Sequence, residues 1–244
     1  MWPDLSLPTL ILVWLGGFLG GLASGAAGFA YGVVASAIWL HVISPLHTAL
    51  LVVAGGLIMQ FGLTWTLRRA VDMRRLGPFL LAGLAGVPIG VVLVVKTDPG
   101  AVKLALAALM VAYGAYALLG SRLPYVANAG VAADAAVGFL GGLLGGLAGL
   151  SGILPAIWTQ LRGWPKDTAR AVYQPYIVAM HLATLALLGI VAIDREGLAL
   201  FAAVLPSVLL GAWVGWLIYG RLDERRFRQL LAVLLILSGG LLIV

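Results

Sequence analysis

Gly16-Gly17-Phe18-Leu19-Gly20-Gly21-Leu22-Ala23 returns as Gly141-Gly142-Leu143-Leu144-Gly145-Gly146-Leu147-Ala148, identical at seven of eight positions and 125 residues further on. Self-similarity at a fixed spacing marks a duplicated chain. After a five-residue gap the spacing becomes 120, and Pro45, Thr48 and Ala49 fall on Pro165, Thr168 and Ala169. At 125 again, Gly86 and Gly90 fall on Gly211 and Gly215, Asp98 on Asp223, Lys103 on Arg228 and Gly114 on Gly239. The chain therefore divides into a first repeat over 1–120, a linker over 121–131 and a second repeat over 132–244.

Around this motif the sequence is strongly apolar. Of 244 residues, 62% are hydrophobic and 10% charged, 33 are glycine, and the mean hydropathy is +1.09. A soluble domain carries roughly a quarter charged residues, so no aqueous surface can be built from this composition. The 63 residues from Leu5 to Leu67 hold no Asp, Glu, Lys or Arg, enough at about 1.5 Å per helical residue for roughly three crossings of a 30 Å hydrocarbon core. The fold class is an all-α polytopic membrane protein of eight to ten segments, which excludes disordered, secreted and nucleic-acid-binding readings. The net charge of +6 reads as Lys and Arg retained on one side of the bilayer. No basic stretch precedes the first apolar run, so that run is expected to stay in the mature protein.

Each repeat opens with a Gly-rich stretch, about Thr9–Leu40 and Ala132–Leu161, and continues as three plainer apolar spans. Residues 135–161 carry seven glycines and Pro155 without a charge. Gly and Pro weaken a helix interior, so the stretch reads as two half-length helices joined by an unwound turn, entering and leaving on one side. Charge counting separates the alternatives. With single crossings the 15 Lys and Arg divide 6 against 9; with hairpins 12 gather on one face, leaving Lys96, Lys103 and Arg195 on the other. The positive-inside rule favours the hairpins. Each half then crosses an odd number of times, the two repeats are inverted, and both termini face outside.

Inverted repeats with broken helices are the architecture in which transporters hold a substrate near the bilayer midplane. The breaks are placed at Ala23–Gly28 and Gly149–Pro155, where a half-helix N-terminus offers free N–H groups and partial positive charge to an anion. Close helix packing is the competing use of these glycines. No Lys or Arg lies well inside a span, so hydrogen bonds and helix ends must do the binding. The candidates are Ser24, Gly25, Gly28, Ser151 and Gly152 at the breaks, with Gln60, Thr64, Gln174, Tyr173, Tyr176, His181 and Thr184 on the following spans. His181 is the strong titratable group inside a span, a candidate carrier of a coupling proton or a neutral bond across helices. His41 and His47 read as interfacial, and Asp134 as a helix N-cap or first-turn acid. Arg162, Lys166 and Arg170 around Trp164 are retention charges or a funnel for anions.

With no cysteine, disulfides, thiol catalysis, iron–sulfur clusters and Cys-based zinc sites are excluded. Three histidines without adjacent carboxylates make a poor metal site. No P-loop, nucleophile elbow or His-Glu-x-x-His motif occurs. Neither metal nor cofactor is expected, and enzyme chemistry lacks its paired carboxylates or activated nucleophile.

At Gly20–Gly28 with Pro45–Ala49, and at Gly145–Gly152 with Pro165–Ala169, the chain resembles the sulfite exporter TauE/SafE family of bacterial membrane permeases. The resemblance runs over essentially the whole chain. It implies a multi-pass protein of the bacterial inner membrane that exports a small sulfur-containing anion, sulfite or an organosulfonate such as sulfoacetate. The partners it implies are that anion and the lipid bilayer. Another small solute such as a carboxylate, or a non-transporting membrane subunit, are the alternative readings, and a homodimer could form through any of several apolar faces.

Overall fold

The structure is a computed structural model that describes residues 6–27, 30–67, 71–119, 126, 129–218 and 224–243. It contains ten α-helices and, among the described residues, no strand. In the first half these are α1 (Leu7–Ala27), α2 (Tyr31–Trp39), α3 (Pro45–Leu67), α4 (Met73–Lys96) and α5 (Pro99–Leu119). In the second they are α6 (Val131–Ala148), α7 (Ile153–Leu161), α8 (Lys166–Ala192), α9 (Arg195–Leu217) and α10 (Glu224–Ile243). Among the described residues, α1, α4, α5, α6, α8 and α9 contain spans long and apolar enough to cross a membrane. The protein is a polytopic membrane protein.

Both Gly-rich stretches form hairpins, with arms of unequal length. The expected pair of half-length helices is replaced by a long helix, 21 residues in α1 and 18 in α6, followed by a return helix of 9 residues. The double glycines explain how a Gly-rich segment holds a long helix. A side chain at Gly16 would strike the Trp39 ring, and one at Gly20 would crowd Tyr31 and Ala35, so these two admit α2. One residue on, Gly17, Gly21 and Gly25 would strike Val204, Val208 and Ala212 of α9. In α6 the division recurs, with Gly141 and Gly145 against Ser151 at the head of the return segment, and Gly138, Gly142 and Gly146 against Phe79, Gly83 and Val87 of α4. The first glycine of each pair seats the return helix, and the second seats a parallel helix from the other half. What these helices lose in propensity they recover in backbone-to-backbone packing.

The remaining pairs are α5 with α10 and α3 with α8. Gly114 meets Ala232 and Ile236 while Gly239 meets Ala107 and Val111, so α5 and α10 run antiparallel in a register that keeps the spacing of 125. The expected match of Gly86 and Gly90 to Gly211 and Gly215 does not hold. Gly211 sits on Phe18 and Leu22, whose counterparts at 125 are Leu143 and Leu147, and it is Gly90 that sits on those two. The spacing between α4 and α9 is therefore 121, one helical turn shorter, an error that evenly spaced small residues invite.

The bundle has two polar ends. At one lie Asp72, Arg75, Asp134, Arg162 and Trp164. At the other, His47 faces Asp194 and Glu196 at 3.4 and 4.0 Å, and Asp194 caps α9 by accepting from Gly197 N. That backbone hydrogen bond, with His47 adding to it, holds the Asp194 carboxyl below the usual carboxylate range. His41, on the turn after α2, bonds Ser238 at 3.1 Å; burial, then the nearby Lys103 charge, push its pKa down.

Candidate functional site

The two hairpins approach each other tip to tip. Gly149 closes α6 in the left-handed region, φ 72°, and its Cβ position is filled by Val52 of α3. A side chain at Gly32, in the first turn of α2, would crowd Val52 and Leu150. Ala30, which precedes α2, has φ 77°, a conformation that disfavours an L-residue by roughly 1–2 kcal/mol. Strain of this kind collects where a ligand or a moving element is held.

Between the tips lies a cavity of about 60 Å³, against the roughly 10–15 Å³ one water requires on the same measure. The first turn of α2 and the first turn of α7 both line it, through Tyr31, Gly32 and Val33 and through Gly152, Ile153 and Ala156. Two helix N-termini from opposite halves thus share one small space; a helix start carries N–H groups without an acceptor one turn back, but in α7 Ile153 N donates to Leu150 O at 3.5 Å, Ala156 N donates to Gly152 O at 3.0 Å and Pro155 has no N–H. Ser24 of α1, Gln60 of α3, Tyr113 of α5, and Tyr173 and His181 of α8 complete the polar lining. No Asp, Glu, Lys or Arg side chain lines the cavity among the described residues.

His181 connects this cavity to the second tip. Its Nε2 donates to the Gly149 carbonyl at 3.0 Å, which leaves Nδ1 buried with no partner among the described residues. The ring fits because position 56 is glycine: a Cβ there would collide with His181 Cε1 and Nδ1. Gln60 is likewise buried, 6% exposed, with Oε1 unpartnered.

Of the residues singled out from sequence, Ser24, Gln60, Gly152, Tyr173 and His181 meet at the cavity. Gly25 does not, since it packs on the backbone of Ala212 and Trp216. The expected first break is also displaced, because α1 runs through Ser24 and Gly25 as regular helix to Ala27. Tyr176 donates to Gly138 O at 2.6 Å and packs edge-on against Phe79, a bond that fixes α8 to α6. Ser151, Gln174 and Thr184 are buried away from the cavity, each with an unpartnered side-chain oxygen. Gly28 and the side chain of Thr64 lie outside the described residues. Asp134 is a first-turn acid of α6, as expected, and not its N-cap, a place held by Gly130; its Oδ1 accepts from Trp158 Nε1 at 2.7 Å, joining the start of α6 to the end of α7.

Sequence reasoning passed over Tyr31, Gly56 and Tyr113. Extending the helix-end argument by one turn into α2 reaches Tyr31, and the glycine at 56 is visible as the small partner a buried histidine needs. Tyr113 lies on a plain span with nothing to mark it.

No curated protein and no solved structure matches the chain. The family model for the sulfite exporter TauE/SafE matches residues 13–242. That is nearly the full length, so the chain belongs to the sulfite exporter TauE/SafE family, a family of membrane transporters and not of enzymes.

Proposed function

We propose that this protein is a secondary transporter that exports a small sulfur-containing anion, sulfite or an organosulfonate such as sulfoacetate, by alternating access. The observation that carries the reading is the convergence of two short helix N-termini on one uncharged, mainly apolar cavity with a few polar groups in its lining. Oriented N–H groups and helix dipoles favour an anion there. Ser24, Gln60, Tyr113 and Tyr173 add side-chain donors, and Arg170, which does not itself line the cavity, donates a side-chain hydrogen bond to Tyr173.

The halves 1–120 and 132–244 act as inverted repeats in this reading. It is supported by the reciprocal pairing of α1 with α9 and of α6 with α4. The arginine-rich end faces the cytoplasm by the positive-inside rule, and both termini face the periplasm. His181, bonded to the tip of one hairpin and bare at Nδ1, carries the coupling proton.

The test is uptake of radiolabelled sulfite into proteoliposomes of the purified protein, competed by sulfoacetate, taurine, sulfate and acetate. Saturable uptake displaced by sulfite or a sulfonate supports the reading. Displacement by acetate alone moves the substrate to carboxylates, and uptake equal to that of empty liposomes rejects transport of this class.

A further inference from the structure

The arginine-rich end holds a cation that the cavity between the tips does not use. Arg162 caps the C-terminal end of α7, its side chain only 13% exposed. Its Nη2 stands 3.7 Å from Asp134 Oδ2, an ion pair beyond hydrogen-bond reach. Its Nε and Nη1 are buried with no acceptor among the described residues. Asp134 meanwhile directs its other oxygen to Trp158. A buried guanidinium is unfavourable unless it is both paired and hydrogen-bonded, and this one is paired loosely through one of three nitrogens. Arg75 also lies over the Trp164 ring, 5.1 Å from its centroid against 5.4 Å for Arg162, but it is itself paired with Asp72 at 3.5 Å. Among the described residues the first hairpin has nothing comparable, since its Trp39 donates to the backbone carbonyl of Val13 at 2.9 Å and no charge is involved.

We propose that Arg162 forms a second anion site at the base of the α6–α7 hairpin. A small oxyanion takes the unused N–H groups of Arg162 in competition with Asp134. Planar, multi-donor guanidinium matches an oxyanion carrying several acceptor oxygens. Because only the second hairpin carries the site, it serves one side of the protein, where it captures the anion before the anion reaches the cavity. That the captured anion is the transported one rests on the reading above; that an oxyanion binds at Arg162 does not.

The experiment is equilibrium binding of radiolabelled sulfite, and separately of sulfate, to the purified full-length protein in detergent, read as anions bound per chain. Arg162→Gln alone would strand a buried carboxylate, so it is paired with Asp134→Asn in a double variant that removes both charges. For sulfite, the wild type is expected to bind two anions per chain, the double variant one and Gln60→Leu one. The single variant Asp134→Asn is expected to bind about tenfold more tightly at the Arg162 site, because the competing carboxylate is gone. A double variant that binds as many anions as the wild type overturns the proposal, as does an Asp134→Asn variant with unchanged or weaker affinity. If Gln60→Leu binds as the wild type while the double variant still loses one anion, the cavity reading fails and the Arg162 site stands. Failure of the wild type to bind either anion overturns both.

Discussion

His181 is where one substitution separates holding the hairpin tip from carrying a proton. The ring is 4% exposed and its Nε2 is the donor to the Gly149 carbonyl. In His181→Ala that buried carbonyl loses its partner, at a cost of about 2 kcal/mol. For a chain of this size, with roughly 2–4 °C per kcal/mol, the melting temperature should fall by about 4–8 °C. His181→Gln places an amide N–H within reach of the same carbonyl and should recover most of that loss. Glutamine does not titrate, so the variant should be stable yet lose any dependence of sulfite flux on an imposed pH gradient. The assays are thermal melting in detergent and proteoliposome flux with and without the gradient. The reasoning is refuted if His181→Ala melts within about 1 °C of the wild type, or if the glutamine variant is as unstable as the alanine one.

Three further outcomes follow from the packing and the ends of the bundle. Gly146→Val should abolish a folded, monodisperse protein, because even a Cβ at that position would collide with the Val87 carbonyl across a backbone contact that no side-chain motion relieves; Gly77→Val, where a Cβ meets nothing within 4 Å, is the control. Because Asp194 has a lowered pKa when folded, the stability it contributes is present above the ordinary carboxylate pKa of about 3.9 and is lost as pH falls through the folded value. Melting at pH 5 and pH 3 should therefore show a drop in the wild type that is smaller in Asp194→Asn. Cysteines placed at His47 and Arg74, in a chain with none of its own, should react with a membrane-impermeant thiol reagent from opposite sides of the vesicle; reaction from one side would reject the hairpin topology.

The sequence motif carried more structural meaning than its composition suggested. Paired glycines mark the sequence match between the two halves, and Gly-rich composition points to the hairpins that α1–α2 and α6–α7 form, because both depend on residue identity alone. Arm length was not legible: Gly lowers helix propensity in isolation, and only the presence of α9 and α4 beside Gly21 and Gly146 turns that weakness into a packing surface. The same packing extended α1 past the expected break and turned Gly25 towards α9. Helical spacing grouped Tyr173 with His181, but the face shown to the cavity depends on what packs opposite, which is why Gln174 and Thr184 fell away from it. Asp134 is legible as a first-turn acid of α6, but its partners, Trp158 and Arg162, come within reach only when the hairpin folds back.

The central claim is that the N-termini of α2 and α7 hold one anion between them. The most direct measurement is a crystal structure with selenite, a heavier relative of sulfite that scatters anomalously, using protein shown to transport selenite in liposomes. An anomalous peak is expected between the tips, within hydrogen-bond distance of the backbone at Tyr31–Gly32 and beside the first turn of α7. A transporting preparation whose crystals show selenite bound elsewhere, and none between the tips, would contradict it.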